Sequence, residues 1–150
     1  MAETLIRAEL AAAGLSERVS VESAGTGDWH LGERMDSRAG AELARRGYDG
    51  SAHRARQIGP EWLDRFDLVI AMDSMNLRNL ERMPSGRPGG RAGRIRLFRS
   101  FDLAAPEGAQ VPDPYGGGPD DFAEVFDLTL AAARGLVAEL TVMLADGSGD

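Results

Sequence analysis

Cysteine is absent from this chain of 150 residues, and histidine occurs only as His30 and His53. The lack of cysteine excludes a disulfide framework and metal sites built on thiolates. Two histidines alone cannot supply the usual ligand set of a zinc site. The apolar runs that stand out, such as Leu68–Met72, are far shorter than a membrane span. We therefore expect a protein without a metal or another cofactor, and one that does not act at a membrane.

Positive charge is also in short supply, because 17 Lys and Arg residues face 24 Asp and Glu residues, for a net charge of −7. Proteins that bind duplex nucleic acid usually present a basic face, so nucleic acid is not an expected partner. An acidic protein can still bind a phosphate group where local N–H groups and one arginine oppose the overall field. No signal-peptide pattern opens the chain, and we expect a cytoplasmic location, with export left open.

The hydrophobic pattern alternates between helical and strand-like segments. Helices are predicted at Ala2–Ala13, from a cap at Asp36 through about Arg46, at Pro60–Phe66, and from a cap at Ser74 or Asp73 to a point before Pro84. A final long helix is predicted from Pro119 onward, with Phe122 and Phe126 on its buried face. Strands are predicted at Val19–Ser23, Asp67–Met72 and Ile95–Phe98. This order predicts an α/β fold with a parallel sheet. Residues 1–145 are expected to form one domain, and residues 146–150 a flexible tail.

Two loops contain residues that suggest chemistry. Asp113 lies between two prolines, which either forms a simple turn or holds the carboxyl group in place. Trp29 stands in a Gly-rich polar loop, where a large aromatic side chain is unusual. It either folds back onto the domain or forms one wall of a cleft, with Tyr115 as the opposite wall.

Three separated motifs then occur in order along the chain. They are SAGTGDWH at Ser23–His30, HRARQ at His53–Gln57 and PDPYG at Pro112–Gly116. In this order they resemble the low-molecular-weight protein tyrosine phosphatases, and the resemblance extends from Met1 to about Leu140. It implies a flavodoxin-like three-layer α/β sandwich with a central parallel sheet of about four strands. It also implies a phosphatase that acts on phosphotyrosine proteins or small aryl phosphates, and that binds phosphate-like anions.

The resemblance assigns direct contact with the substrate to three residues. Asp113 corresponds to the general acid, which protonates the leaving oxygen of the phosphate ester. Trp29 and Tyr115 correspond to the aromatic walls of the substrate cleft. Many members have a second tyrosine after the first, and this chain has Gly116 there. That departure leaves open the substrate contact, and any regulation, that depend on the second aromatic residue.

Four further residues are implied to support the site. Ser23 would orient the phosphate-binding loop by hydrogen bonds, and His53 would keep that loop in its anion-binding shape. Arg56 and Asp73 are implied to form an ion pair behind the site.

The family carries its nucleophile in a Cys-x5-Arg loop within the pattern Cys-x-Gly-Asn-x-Cys-Arg-Ser-Pro-Met-Ala-Glu. Only the last three residues of this pattern, Met1-Ala2-Glu3, stand in this chain. That loop supplies the attacking thiolate, a cradle of N–H groups and an arginine that grips the phosphate. No residue here replaces all three, so we expect the 150 residues to be inactive. We also expect the first, central strand of the sheet to be missing, which leaves open edges through which a homodimer could form.

Two alternatives stay open. The loop residues that separate a tyrosine phosphatase from an arginine phosphatase or an arsenate reductase relative are absent, although Trp29 and Tyr115 favour an aromatic ester. The second alternative is a non-catalytic chain that binds partners or associates with itself.

Overall fold

The computed structural model describes residues 1–28, 30–86 and 93–147. Within these residues the helices are α1 (Ala2–Ala12), α2 (Ser37–Arg45), α3 (Pro60–Arg65), α4 (Ser74–Arg82) and α5 (Pro119–Asp146). The strands are β1 (Val69–Ala71) and β2 (Ile95–Leu97), and a 3-10 helix at Phe98–Phe101 follows β2 directly. The alternation of helices with a parallel sheet confirms the predicted α/β class.

The sheet in the described residues consists of β1 and β2, which run parallel with Val69 opposite Ile95. The Val69 N–H donates to the Arg94 carbonyl at 2.8 Å. Since alternate residues of a parallel strand face the same neighbour, Ala71 also faces β2, and Ile70 directs its N–H and C=O to the opposite edge. The described sheet therefore has fewer strands than the expected number of about four, and β1 has one open edge.

The predicted strand at Val19–Ser23 is not a strand in the structure. A strand needs a neighbour for its ladder of hydrogen bonds, and the described residues provide none beside this segment. Side chains of α1 hold it instead, because Arg7 donates to the Val21 carbonyl and Glu3 accepts the Ser23 N–H. Val19 and Val21 still pack against the core. The alternating apolar pattern therefore predicts which side chains face the core, although no ladder of hydrogen bonds forms.

The main core lies where α5 packs on α1, α2 and the 3-10 helix. The fully buried side chains include Leu5, Leu10, Leu43, Phe98 and Phe126. Gly135 brings α5 close to the 3-10 helix, since a Cβ atom there would lie 1.8 Å from the Phe101 carbonyl oxygen. This close approach places the end of the sheet directly against the longest helix.

A second, smaller core cluster contains Val69 and Ala71 together with Leu63 and Leu80. The alternate residues of the same segment, including Ile70, pack against the main core instead. Strand β1 is therefore covered on both faces, as its continuous apolar sequence predicts.

By length and composition α5 is apolar enough to cross a membrane, which the sequence analysis did not anticipate. Its inner face is nevertheless packed, with Phe126, Ala132 and Ala133 almost inaccessible to solvent. Core helices of globular domains meet the same criteria, and we interpret α5 in that way. The tail predicted from residue 146 begins at the last residue of α5, and residues 148–150 lie outside the described residues.

Candidate functional site

A cavity of about 430 Å³ opens beside the Gly-rich loop. Its walls comprise loop residues 23–27, His30, Leu31, His53, Ala55, Arg56 and Asn76. A short parallel bridge forms the back of the cavity, because the Gly25 N–H donates to the Arg56 carbonyl at 2.8 Å and Gly25 accepts from the Ile58 N–H at 2.9 Å. Backbone pairing thus brings together two of the three motifs.

Glu3 of α1 lies at the centre of a polar network beside this cavity. Its side chain is only 11% exposed. One carboxylate oxygen, Oε2, accepts the backbone N–H of Ser23 at 3.0 Å and also accepts the Ser23 hydroxyl. The other oxygen, Oε1, pairs with Arg7 at 2.9 Å. Glu3 was not among the predicted site residues, and the Ser23 hydroxyl that was predicted to orient a phosphate loop donates to it.

Arg56 and His53 approach the same carboxylate from the far side. Arg56 Nη2 lies 3.3 Å from Glu3 Oε2, and its Nη1 lies 3.0 Å from Glu22. His53 Nδ1 lies 3.7 Å from Glu3 Oε2. The Arg56 Nε atom is buried without a hydrogen-bond partner among the described residues. The charges in this network therefore alternate in sign from Arg7 to Glu3 to Arg56 to Glu22.

Burial and nearby charges shift the pKa values of Glu3 and His53. Burial raises the pKa of Glu3, but the hydrogen bond from Ser23 and the charges of Arg7 and Arg56 outweigh it, so the net pKa lies below the ordinary value. The pKa of His53 is lowered, first by burial and then by the nearby N-terminal amine, which Glu3 offsets only in part. Near neutral pH the favoured state is thus an ionised Glu3 beside an uncharged His53.

Asp113 lies on the connection that leads into α5. Its Oδ1 accepts the Tyr115 N–H at 3.0 Å, a local turn of the kind that aspartate favours. The loop then closes with a bond from the Gly117 N–H to the Pro114 carbonyl at 2.9 Å. The side chain of Tyr115 is largely exposed. Asp113 and Tyr115 are thus held side by side at the protein surface.

The same connection is tied to the carboxyl end of β1. The Val111 N–H donates to the Met72 carbonyl at 2.8 Å, and the Gln110 side chain accepts the Ser74 N–H at 2.8 Å. Ligands of open α/β sheets bind at this end of the strands. The connection that contains Asp113 therefore reaches the end of the sheet at which such ligands bind.

The structure brings the predicted site residues together in two groups. Ser23, His53 and Arg56 line the cavity, and Asp113 and Tyr115 share the loop. Within the described part of the chain, no hydrogen bond or ion pair joins the loop pair to the cavity residues. Trp29, the other predicted cleft wall, lies outside the described residues.

The expected ion pair between Arg56 and Asp73 does not occur in the described structure. Asp73 instead caps α4 by accepting the Asn76 N–H at 2.7 Å. Arg56 pairs with Glu3 and Glu22 instead. Asp73 therefore fixes the start of α4, and Asn76 of that helix lines the cavity.

Ligands for a metal ion are not assembled anywhere in the described ranges, where no three His, Asp or Glu side chains come together in a suitable group. The features that remain for chemistry are a polar cavity, a buried carboxylate network and an exposed loop with a carboxyl group. They lie around the carboxyl end of a parallel sheet, and this arrangement defines an α/β protein of the class that binds its ligands at that end.

Comparison with known proteins narrows the class to a family. A family model described as low molecular weight phosphotyrosine protein phosphatase matches residues 1–144. A low molecular weight protein-tyrosine-phosphatase of Streptomyces coelicolor is 47% identical over 140 residues, which cover 92% of this chain and 83% of the relative. Low molecular weight protein-tyrosine phosphatase A of Mycobacterium bovis is 41% identical, with 91% of this chain and 80% of the relative covered. The chain belongs to the low molecular weight phosphotyrosine protein phosphatase family.

Solved structures agree with this assignment. A protein tyrosine phosphatase from Entamoeba histolytica, crystallised with Hepes in its active site, matches with a TM-score of 0.83 at 29% identity, and the match covers 93% of this chain and 86% of that one. YfkJ from Bacillus subtilis matches with a TM-score of 0.83 at 30% identity, covering 95% and 86%. The predicted fold class and the predicted family are both confirmed.

Proposed function

We propose that this chain supplies the scaffold, the supporting network and the general acid of a phosphatase that acts on phosphotyrosine proteins or small aryl phosphates. The observation that carries the proposal is the position of Asp113. It lies two residues after Val111, which is bonded to the carboxyl end of β1. Its carboxyl group is fixed by the Tyr115 N–H instead of being buried in an ion pair. A carboxyl group held there can meet the leaving oxygen of an ester bound at the end of the sheet.

The proposed reaction has two steps. A cysteine thiolate attacks phosphorus, and as the P–S bond forms, the P–O bond to the aryl group breaks and Asp113 gives its proton to the departing oxygen. Water then attacks the phosphocysteine and passes a proton to Asp113, which releases phosphate and the thiolate. Tyr115 and Trp29 are proposed to flank the aromatic ring. The thiolate is not among the 150 residues, so we propose that these residues alone do not turn over substrate.

The leaving group provides the test of Asp113. A segment that carries the central strand and the Cys-x5-Arg loop with its following Ser-Pro, joined in frame before Met1, should give an active chain. In that chain Asp113→Asn is compared with Asp120→Asn. Loss of the general acid should lower kcat about 100-fold or more for phenols that leave poorly, and less for p-nitrophenol. Asp120 lies in the first turn of α5, and its variant should retain the parent rates. Equal rates for all three chains on every ester would rule out Asp113 as the acid.

Phosphoarginine peptides and arsenate serve as comparison substrates for the same chain. The proposal predicts faster hydrolysis of phosphotyrosine peptides, because an exposed Tyr115 ring can pack on a phenyl group but gains little from a guanidinium phosphate. Preference for phosphoarginine would assign the chain to the arginine phosphatases, and preference for arsenate would assign it to the arsenate reductase relatives.

Self-association is a second candidate function, and the open edge of β1 favours it. Ile70 directs its N–H and C=O away from β2, and open strand edges pair readily with another chain. The molar mass by light scattering should then rise with concentration toward that of a dimer. A mass that stays at 16.0 kDa across the accessible concentrations would exclude this candidate.

A further inference from the structure

Arg38, in the first turn of α2, is held rigidly by a neighbour on its own helix. Its Nε and Nη2 donate to the two carboxylate oxygens of Asp36 at 3.0 and 2.8 Å. Asp36 also accepts the Arg38 backbone N–H, as the N-cap of the helix. A bidentate pair of this kind fixes the plane of the guanidinium group. The remaining donors of Arg38 therefore point in one defined direction.

Those donors reach the loop that contains Asp113, which lies far away in the sequence. Nη2 donates to the Tyr115 carbonyl at 2.9 Å, and Nη1 donates to the Gly117 carbonyl at 3.3 Å. Two carbonyls of one turn are thus tied to a single side chain. Neither carbonyl has another donor among the described residues.

The guanidinium group also lies over two aromatic rings. Its central carbon lies 4.7 Å from the ring centre of Phe122 and 5.5 Å from that of Tyr115. Phe122 is buried at the start of α5, whereas the Tyr115 side chain is 66% exposed. Arg38 therefore connects an exposed ring to the core through cation–π contacts.

The loop is consequently fixed at both ends, with Asp113 between them. Val111 is bonded to Met72 at one end, and Tyr115 to Arg38 at the other. The Asp113 carboxylate accepts the Tyr115 N–H, so any shift of the Tyr115 backbone moves that carboxylate. We propose that Arg38, oriented by Asp36, is the positioning residue for Asp113 and for the Tyr115 ring. The effect of Arg38 on catalysis rests on the proposed role of Asp113, whereas its effect on the order of the loop does not.

Lysine cannot replace arginine in this role. A lysine ammonium is a compact charge without a planar fork, so it cannot pair with Asp36 in bidentate fashion, bond two carbonyls and lie over two rings at once. The proposal therefore predicts that Arg38→Lys behaves like Arg38→Gln. A merely electrostatic contribution would be restored by lysine.

Fluorine NMR of the chain labelled with 3-fluorotyrosine reads the loop directly. The chain has two tyrosines, Tyr48 and Tyr115, and Tyr48 packs on Phe126 with ring centres 5.6 Å apart, so it serves as an internal control. In Arg38→Gln and Arg38→Lys, the Tyr115 signal should move to the shift of a free fluorotyrosine while the Tyr48 signal stays in place. A Tyr115 signal unchanged in both variants would overturn the proposal, as would its full recovery in Arg38→Lys.

Hydrogen exchange provides the second measurement. The hydrogen-bonded amides of Tyr115, Gly117 and Gly118 should exchange about tenfold faster in Arg38→Gln, which matches the loss of roughly one charged hydrogen bond. Asp36→Asn is the companion variant, because asparagine still caps α2 but no longer pairs with the guanidinium group. It should increase exchange in the same loop without unfolding the helix. Arg134→Gln, which removes an exposed arginine elsewhere, is the matched control and should match the parent.

Parent-like exchange in the loop of both Arg38→Gln and Asp36→Asn would reject the positioning role. Neither measurement involves turnover, so this outcome leaves the general-acid role of Asp113 to its own test with leaving groups. Conversely, if the leaving-group test fails for Asp113, faster exchange of the loop in these variants would still support the positioning role of Arg38.

Discussion

Glu3 accepts two hydrogen bonds from Ser23, one from the backbone N–H at 3.0 Å and one from the hydroxyl group at 2.5 Å. This contact joins the first turn of α1 to the start of the Gly-rich loop. Arg56, which belongs to the second motif, closes the arrangement at 3.3 Å. One buried carboxylate thus holds three segments of the chain around the cavity.

Glu3→Gln should destabilise the fold through this contact. The amide keeps one acceptor, but it presents an N–H₂ group to donors and leaves Arg56 without one of its two carboxylate partners. We expect the free energy of unfolding to fall by about 2–3 kcal/mol, measured by urea denaturation. Glu124→Gln, at an exposed position of α5, should change it by less than about 0.5 kcal/mol. Equal effects of the two substitutions would contradict the role of Glu3.

The pH dependence of stability should show the burial of His53. Folding lowers the pKa of His53 below 6.5, so the unfolded chain takes up this proton first as the pH falls through that value. The free energy of unfolding should therefore decrease as the pH falls below 6.5, and His53→Gln should reduce that decrease.

Glu3 affects the free energy of unfolding over a separate, more acidic pH range. Its folded pKa is below 4.5, so its contribution is present above pH 4.5 and is lost as the pH falls through the folded value. The acid loss of stability below pH 4.5 should therefore persist in His53→Gln. If the curves of parent and variant coincide between pH 7 and 5, His53 is not linked to folding.

Asp73 and Arg56 should act independently in a double-mutant cycle. Asp73→Ala removes the N-cap of α4 and should cost about 1 kcal/mol, whereas Asp73→Asn should retain most of that stability. The coupling energy between Arg56→Ala and Asp73→Ala should be within about 0.5 kcal/mol of zero. Arg56 and Glu22, which are in contact, should show a measurable coupling. A strong coupling between Arg56 and Asp73 would instead support the ion pair that the family resemblance implied.

Gly135→Ala should be strongly destabilising, although alanine is the better helix former. The new Cβ would lie 1.8 Å from the Phe101 carbonyl oxygen, so α5 and the 3-10 helix would have to separate. We expect a loss of about 3 kcal/mol by thermal or urea unfolding, as for other overpacked positions. Gly116→Ala, where nothing lies within 4 Å of the new atom, should leave stability unchanged or slightly raised. Parent-like stability of Gly135→Ala would contradict this close packing.

Local features of the fold were predictable from the sequence. Asp36 was expected to cap α2, and its hydrogen bond to Arg38, two residues away, confirms this. The helical spacing of α5 predicted its buried face, including Phe122 and Phe126. Such features depend on neighbours within a few residues, and the chain encodes them directly.

Features that depend on distant residues were missed. Glu3 finds its partners 20 and 53 positions away, and nothing in its local sequence indicates them. The Val19–Ser23 segment has the alternation of a strand, but pairing depends on a neighbour that the pattern cannot report. The role of Arg38 depends on a loop 77 positions later, for the same reason.

Hydrolysis of p-nitrophenyl phosphate by the purified 150-residue chain tests whether these residues form only the scaffold of the site or also contain its nucleophile. No residue of the chain offers a thiolate, so the rate should equal that of buffer alone, and Asp113→Asn should not change it. Turnover that copurifies with the chain and disappears in Asp113→Asn would contradict the proposal, because the attacking group would then lie among these residues.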